Sequence, residues 1–401
     1  MTLATYIHSI DPFLFQVSET VGVRWYGLSY VAGFVTGYLI LTWLARRKRI
    51  QLSQQAVGDF VLWVAIGTMI GGRLGYCVFY RPDLLVHFGD SFPFWGALEA
   101  HKGGMASHGG IIGICVAVWL FGRKHGFNIL HLLDLTALTA TIGVFYGRIA
   151  NFINGELVGR ICSPDMPFAV KFPQDMYDWG RERLAYLGDA VKSVGVTSTE
   201  WLNAIDTYNT DPAARGLVHR TISDMIREIQ YGHDVLALKV AEFLDPRHPS
   251  QIYAALLEGA LIFVILGFIW RIPRRPGTIA GVFLILYPTV RFLGEFYRLP
   301  DAFLGDQPLG LSRGQWLSIG MFVIGFGLLF YWRSKSSVTM GGWMVRSNLQ
   351  VESDGSITQP RQTAGAAGDK PETPSTSDQQ GKGPFKDLSG PDNKRSGEVN
   401  K

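Results

Sequence analysis

The sequence predicts an all-α polytopic membrane protein: about seven transmembrane helices, an extracytoplasmic N-terminus, a cytoplasmic C-terminus and a small extracytoplasmic head. Three observations carry this reading. Hydrophobic residues make up 47% of the 401 and charged residues only 17%, with the charges gathered into blocks. Seven apolar stretches are long enough to cross a hydrocarbon core of roughly 30 Å, which takes about 20 helical residues. Basic blocks follow every odd-numbered stretch, and by the positive-inside rule those ends face the cytoplasm.

The elements follow in chain order. The first span, 26–45, runs into "RRKR" from Arg46, so it ends inside. The second, 57–79, returns outward, and the third, 103–122, ends on "RKH" from Arg123. The fourth, 132–149, leads out to the polar stretch "GRIANFINGELVGR", Gly147 to Arg160. Residues 1–159 thus hold spans one to four and an outer N-terminal segment. Residues 160–249 mix charges, Pro-containing turns and amphipathic pieces such as "HRTISDMIREIQYG", and read as the head. Residues 250–335 hold spans five to seven at 252–270, 278–297 and 315–332, with "RIPRRP" from Arg271 after the fifth and Arg333 with Lys335 after the seventh. From about Val338, within residues 336–401, the chain turns polar and Gly/Pro-rich, which predicts a disordered cytoplasmic tail.

Composition narrows the function classes. The 47 glycines suit close helix packing in lipid. A net charge of +4 gathered at membrane boundaries gives no reason to expect nucleic acid as a partner. Of the three cysteines, Cys77 and Cys115 fall in apolar runs, so with Cys162 they read as small buried hydrophobes rather than a disulfide set or metal cluster. The first basic residue is Arg24, so no cleavable leader is expected.

Ionisable groups within membrane spans mark functional sites unless they face protein partners. Tyr26 of "WYGL" is at an outer helix end, where a belt aromatic is the plain alternative. Arg73 of "GGRLGY" lies inside span two and could be structural. His108 sits between glycine pairs in "GGMASHGG", where a backbone-satisfied histidine is the competing reading. Tyr287, Arg291 and Glu295 recur at i, i+4 and i+8 and share one helical face, with Arg298 close behind. Arg148 and Asn151, followed by Asn154 and Glu156, form a second set at the same outer end. Two such sets predict one cavity, and the excess of Arg73, Arg148, Arg291 and Arg298 over Glu156 and Glu295 suits it to an anion. Arginine fits phosphate bidentately, and a phospholipid head group is the simplest phosphate at that depth.

On "GRIANFINGELVGR", "WYGL", "GGRLGY", "GGMASHGG", "RHPSQIY" and "YPTVRFLGEFYRLPD", in that topology, the chain resembles the bacterial prolipoprotein diacylglyceryl transferases over about residues 10–335. The resemblance implies a seven-helix enzyme of the bacterial inner membrane with a periplasmic head. It implies transfer of diacylglyceryl from phosphatidylglycerol to the lipobox cysteine of a preprolipoprotein, forming a thioether and releasing glycerol 1-phosphate. It marks Tyr26, His108, Arg148, Asn151, Glu156, Gly159, Tyr287, Arg291 and Glu295 as functional positions. Arg148, Arg291 and Asn151 are expected to bind phosphatidylglycerol, with Glu156 and Glu295 orienting the guanidiniums, Tyr26 assisting at the head group, Gly159 permitting close backbone approach and His108 the candidate base. No cofactor or metal is expected. The sequence departs from the family pattern at Lys102, at Ala254 where a Glu is common although Glu258 lies one turn on, and in an enlarged head and tail. A transporter or channel for an anionic solute or lipid is the rival reading, since intramembrane Arg and Glu also line transport paths. A membrane scaffold would leave the aligned Tyr, Arg and Glu without a purpose.

Overall fold

The computed structural model describes residues 5–16, 22–88, 94–99, 103–299, 308–335, 338–344, 350–351 and 357–358. Helices occupy all seven expected positions: α1 (Trp25–Arg46), α2 (Gln54–Phe79), α3 (Ser107–His125), α4 (Ile129–Ile153), and, after the head, α8 (Ser250–Ile269), α9 (Thr278–Gly294) and α10 (Arg313–Lys335). Five of them, α1, α2, α4, α8 and the Gly314–Trp332 part of α10, are long and apolar enough to cross a membrane. The other two fall short for visible reasons. Three basic residues fill the last turn of α3, and α9 has only 17 residues. Large apolar side chains on the outer faces, among them Leu39, Met69, Ile112, Val264 and Val323, are more than half exposed. In water such surface would be a liability; in lipid it is at home.

Inside, Leu41, Phe60, Phe121, Leu132, Leu135, Leu266 and Trp270 belong to one buried cluster. The α2–α3 contact depends on glycine. A Cβ on Gly113 would meet the Gly67 carbonyl oxygen at 2.0 Å, and one on Gly109 the Gly71 carbonyl oxygen at 2.3 Å. The third span was expected to open at Gly103, yet α3 begins at Ser107. Gly103 and Gly104 have φ of +87° and +86°, incompatible with a right-handed helix, and Arg73 grips their carbonyls from α2.

The segment 160–249 holds α5 (Ser198–Thr207), α6 (Pro212–Gln230) and α7 (Asp234–Ala241) around a second core of Met176, Leu187, Trp201, Val218, Ile222 and Met225. Local sequence sets their starts. Thr197 and Glu200 form a reciprocal capping box at α5, and Asp211 caps α6 with Pro212 in the first turn. Near the chain start, β1 (Tyr6–Ile7) pairs in parallel with β4 (Val170–Lys171), which pairs antiparallel with β5 (Pro246–Arg247). A hairpin of β2 (Phe13–Gln16) and β3 (Gly22–Arg24) leads into α1.

Part of the stretch expected as tail is described: Met340 exchanges backbone hydrogen bonds with Arg274, and the Trp343 indole donates to the Gly267 carbonyl at 2.8 Å. Met340 and Trp343 are apolar residues in a polar stretch, and they dock on the turn between α8 and α9. Short strands β6 (Gln350–Val351) and β7 (Ile357–Thr358) pair further on. The rest of the expected disordered tail, and Lys102, lie outside the described residues. Cys77 is buried as expected, but Cys115 is exposed on a helix face and Cys162 is half-buried.

Candidate functional site

The polar stretch after α4 is held by the two other motif segments. Residues 156–160 run between 247–251 and 297–299, with a bend at Leu157, whose φ is +57°. On one side the Gln251 amide donates to the Glu156 carbonyl at 2.7 Å, the Ser250 hydroxyl to the Leu157 carbonyl at 2.9 Å and Arg247 Nη1 to the Gly159 carbonyl at 3.0 Å. On the other, Arg160 N–H donates to the Tyr297 carbonyl at 2.9 Å and Leu299 N–H to the Val158 carbonyl at 3.2 Å. Gly159 is required by packing, since a Cβ there would lie 2.2 Å from the His248 carbonyl oxygen. Arg247 also pairs with the buried Asp175, tying this segment to the head; burial raises the Asp175 carboxyl despite that pairing.

Beneath this clamp lies a cavity of about 370 Å³, walled by α4, α8 and α9, with Arg148, Asn151, Glu258, Arg291 and Arg298 among its lining residues and apolar side chains such as Leu257 and Val290 around them. Arg148 Nε and Nη2 donate to Glu258 Oε2 at 3.1 and 2.8 Å. The Arg291 Nε stands 3.9 Å from the other oxygen of Glu258, and its Nη1 pairs with Glu295 one turn on. Glu295 in turn accepts from the Ser312 hydroxyl at 3.0 Å. Tyr287 is within side-chain hydrogen-bond reach of Arg148. The side chains of Glu258 and Glu295 are 3% and 8% exposed, those of Arg148 and Arg291 18% and 16%, so it is the guanidiniums that reach toward the open space. Asn151, buried, turns its amide toward the Tyr26 hydroxyl at 3.4 Å and Glu156 at 3.5 Å, both long for hydrogen bonds.

The expected arrangement is thus met in part. Arg148, Tyr287, Arg291 and Glu295 converge, and Tyr26, Asn151 and Glu156 form a neighbouring group linked through the cavity-lining Asn151. Glu156 points to Asn151, while the carboxylate on Arg148 is that of Glu258. Arg73 has a structural part: its guanidinium donates to the carbonyls of Gly96, Ala97, Gly103 and Gly104 at 2.7–3.1 Å and does not line the cavity. His108 is exposed in the first turn of α3 and is also absent from the cavity wall. Sequence reading missed Arg247, Ser250 and Gln251 as the clamp, although "RHPSQIY" contains all three. It saw Glu258 only as a neighbour of Ala254.

Three guanidiniums and one carboxylate on the wall, among apolar side chains, suit a monoanionic or dianionic phosphate attached to something greasy. Comparison with known proteins points the same way. Residues 12–331 match the family model described as prolipoprotein diacylglyceryl transferase. The chain is 52% identical over 348 residues to a Bdellovibrio bacteriovorus protein named phosphatidylglycerol–prolipoprotein diacylglyceryl transferase, covering 86% of this chain and 99% of that one. Proteins of the same name from Neisseria gonorrhoeae and Ralstonia pickettii are 38% and 36% identical, covering 79% and 80% of this chain and 94% and 93% of theirs.

Proposed function

We infer the reaction from the premise that this chain belongs to the prolipoprotein diacylglyceryl transferase family: it is a transferase that moves the diacylglyceryl group of phosphatidylglycerol to a cysteine thiol of a prolipoprotein. The observation that carries the assignment of the site is the pair of guanidiniums, Arg148 and Arg291, sharing one buried carboxylate at the wall of a largely apolar cavity. The finer reading is a bacterial inner-membrane enzyme with seven spans, the N-terminus and the head periplasmic, the C-terminus cytoplasmic, and an acceptor presented as a lipobox cysteine.

In the proposed step the cysteine sulfur attacks the glycerol carbon that bears the phosphate ester. A carbon–sulfur bond forms, the carbon–oxygen bond breaks, and its electron pair leaves with the oxygen as glycerol 1-phosphate. The thiol proton passes to a base; the exposed imidazole of His108 at the start of α3 is assigned to that acceptor side. Negative charge grows on the phosphate, where Arg148 and Arg291 stand as fixed donors. Because their partners are already in place, little reorganisation is needed as that charge develops. Asn151 and Tyr26 hydrogen-bond the head group, Glu156 orients Asn151, Glu295 orients Arg291, Tyr287 supports Arg148, and Gly159 lets the clamp close.

The test incubates purified protein with phosphatidylglycerol and a lipobox peptide and follows the diacylglyceryl mass on cysteine. Arg148→Ala and Asn151→Ala are expected to leave the protein inserted and folded while thioether formation falls by at least about 100-fold. Variants that convert peptide at the wild-type rate would remove these residues from the mechanism. Solute flux through proteoliposomes with no peptide conversion would favour the transport reading instead.

A further inference from the structure

Helix α8 departs from α-helical geometry over Ala255–Leu261, seven residues in the π form. A π turn is poorly bonded and uncommon, and it recurs where a helix must aim a side chain. Here it carries Glu258. The carboxylate is almost fully buried, with Oε2 2.8 Å from Arg148 Nη2 and Oε1 3.9 Å from Arg291 Nε, so each guanidinium faces its own oxygen. The next residue fixes the turn against α4: a Cβ on Gly259 would lie 2.7 Å from the Phe145 Cα. Glu258 therefore occupies donors that a phosphate would also use.

We propose that Glu258 is a positioning residue that stands in for the phosphate: it holds Arg148 and Arg291 in donor geometry and, by its fixed negative charge, limits how tightly the phosphate product is kept. This rests on the transferase reading above. Charge separates substrate from product. A phosphodiester carries a single negative charge, whereas the phosphomonoester released by carbon–oxygen cleavage approaches two. A buried carboxylate sharing the same two guanidiniums tolerates the first better than the second, because like charges at close range in a low-dielectric site repel strongly. Glu258 thereby orients the donors for the transition state and favours departure of the product. A carboxylate needed only for folding would do neither.

The experiment uses full-length protein in detergent, with Glu258→Gln and Glu258→Asp, and sn-glycerol 1-phosphate as the probe. Calorimetry gives its Kd in the absence of lipid and peptide, and steady-state turnover gives kcat and KM for phosphatidylglycerol. Glu258→Gln is expected to bind glycerol 1-phosphate about ten-fold more tightly, with kcat lowered by a similar factor and KM for the lipid changed much less. Glu258→Asp keeps the charge but shortens the reach; it should leave the Kd near wild type and lower kcat. Wild-type or weaker glycerol 1-phosphate binding by Glu258→Gln overturns the proposal, and so does tightened binding by Glu258→Asp, which covers the case where the Gln variant does not fold. Wild-type protein that converts no peptide sinks the transferase reading itself; converting wild type beside an unchanged Kd in Glu258→Gln sinks only this inference.

Discussion

At the scale of single residues, the legible part of the site was what lipid makes expensive. Arg148, Tyr287, Arg291 and Glu295 stood out because an ionisable or hydroxyl-bearing side chain inside an apolar helix needs a reason. Glu258 was harder to place because the π turn shifts its direction from what a 3.6-residue period gives, and no residue in "ALLEGAL" announces such a turn. Arg73 misled for the opposite reason: its partners are carbonyls of a distant loop, which carry no signature in sequence. A buried residue that sequence reading passed over, His8, yields a prediction. Its ring is 1% exposed, 5.3 Å from each of the Phe152 and Phe172 rings, and burial lowers its pKa from 6.5 to about 4. The folded state therefore favours neutral His8. That contribution is fully present above pH 6.5 and is lost progressively as the pH falls toward 4, by roughly 3 kcal/mol in all. Protection factors over β1 and β4, obtained by dividing the intrinsic exchange rate at each pH by the observed one, should fall across that window in the wild type and stay flat in His8→Phe. The same fall in both proteins would assign it to other groups.

At the scale of elements, hydropathy located each of the seven long apolar helices to within a few residues, because lipid exposure leaves long apolar runs. It could not show what fixes one helix against another. Asp134 lies inside the predicted fourth span and drew no notice, yet it accepts hydrogen bonds from the Gly277 and Ala280 N–H groups, both at 2.8 Å. It thus caps the first turn of α9 from α4, where Gly277 has no side chain to do so. The same two helices meet again at the cavity, through Glu258 between Arg148 and Arg291. Register between α4 and α9 is therefore set at both ends. Replacing Asp134 by Ala strands buried N–H groups and is expected to destabilise the protein by about 2 kcal/mol, with Asn, which keeps one acceptor, losing about half as much. Thermal melts in detergent measure this directly. Equal melting of wild type and the Ala variant would show that water satisfies those groups instead.

At the scale of the whole molecule, the decisive pattern is the position of the basic residues relative to the candidate site. Arg46–Arg49 follow α1, Arg123 and Lys124 end α3, and Arg271–Arg275 follow α8, whereas the cavity and the clamp lie at the opposite ends of α4 and α9. If the basic ends face the cytoplasm, the site opens on the side where an exported prolipoprotein arrives, and the head stands over it. The arrangement makes orientation and function one claim, because a site on the cytoplasmic side would meet its acceptor before export. Cys162 is half-buried at the start of the head segment, and Lys48 is exposed in the α1–α2 turn, so the two positions report on opposite faces. In a Cys115→Ser background, a membrane-impermeant maleimide applied to intact spheroplasts should label Cys162 directly. Lys48→Cys, tested with Cys162 also changed to Ser, should label only after permeabilisation. The reverse pattern would place the cavity on the cytoplasmic side, and the transferase reaction could then act only on prolipoproteins that had not yet crossed.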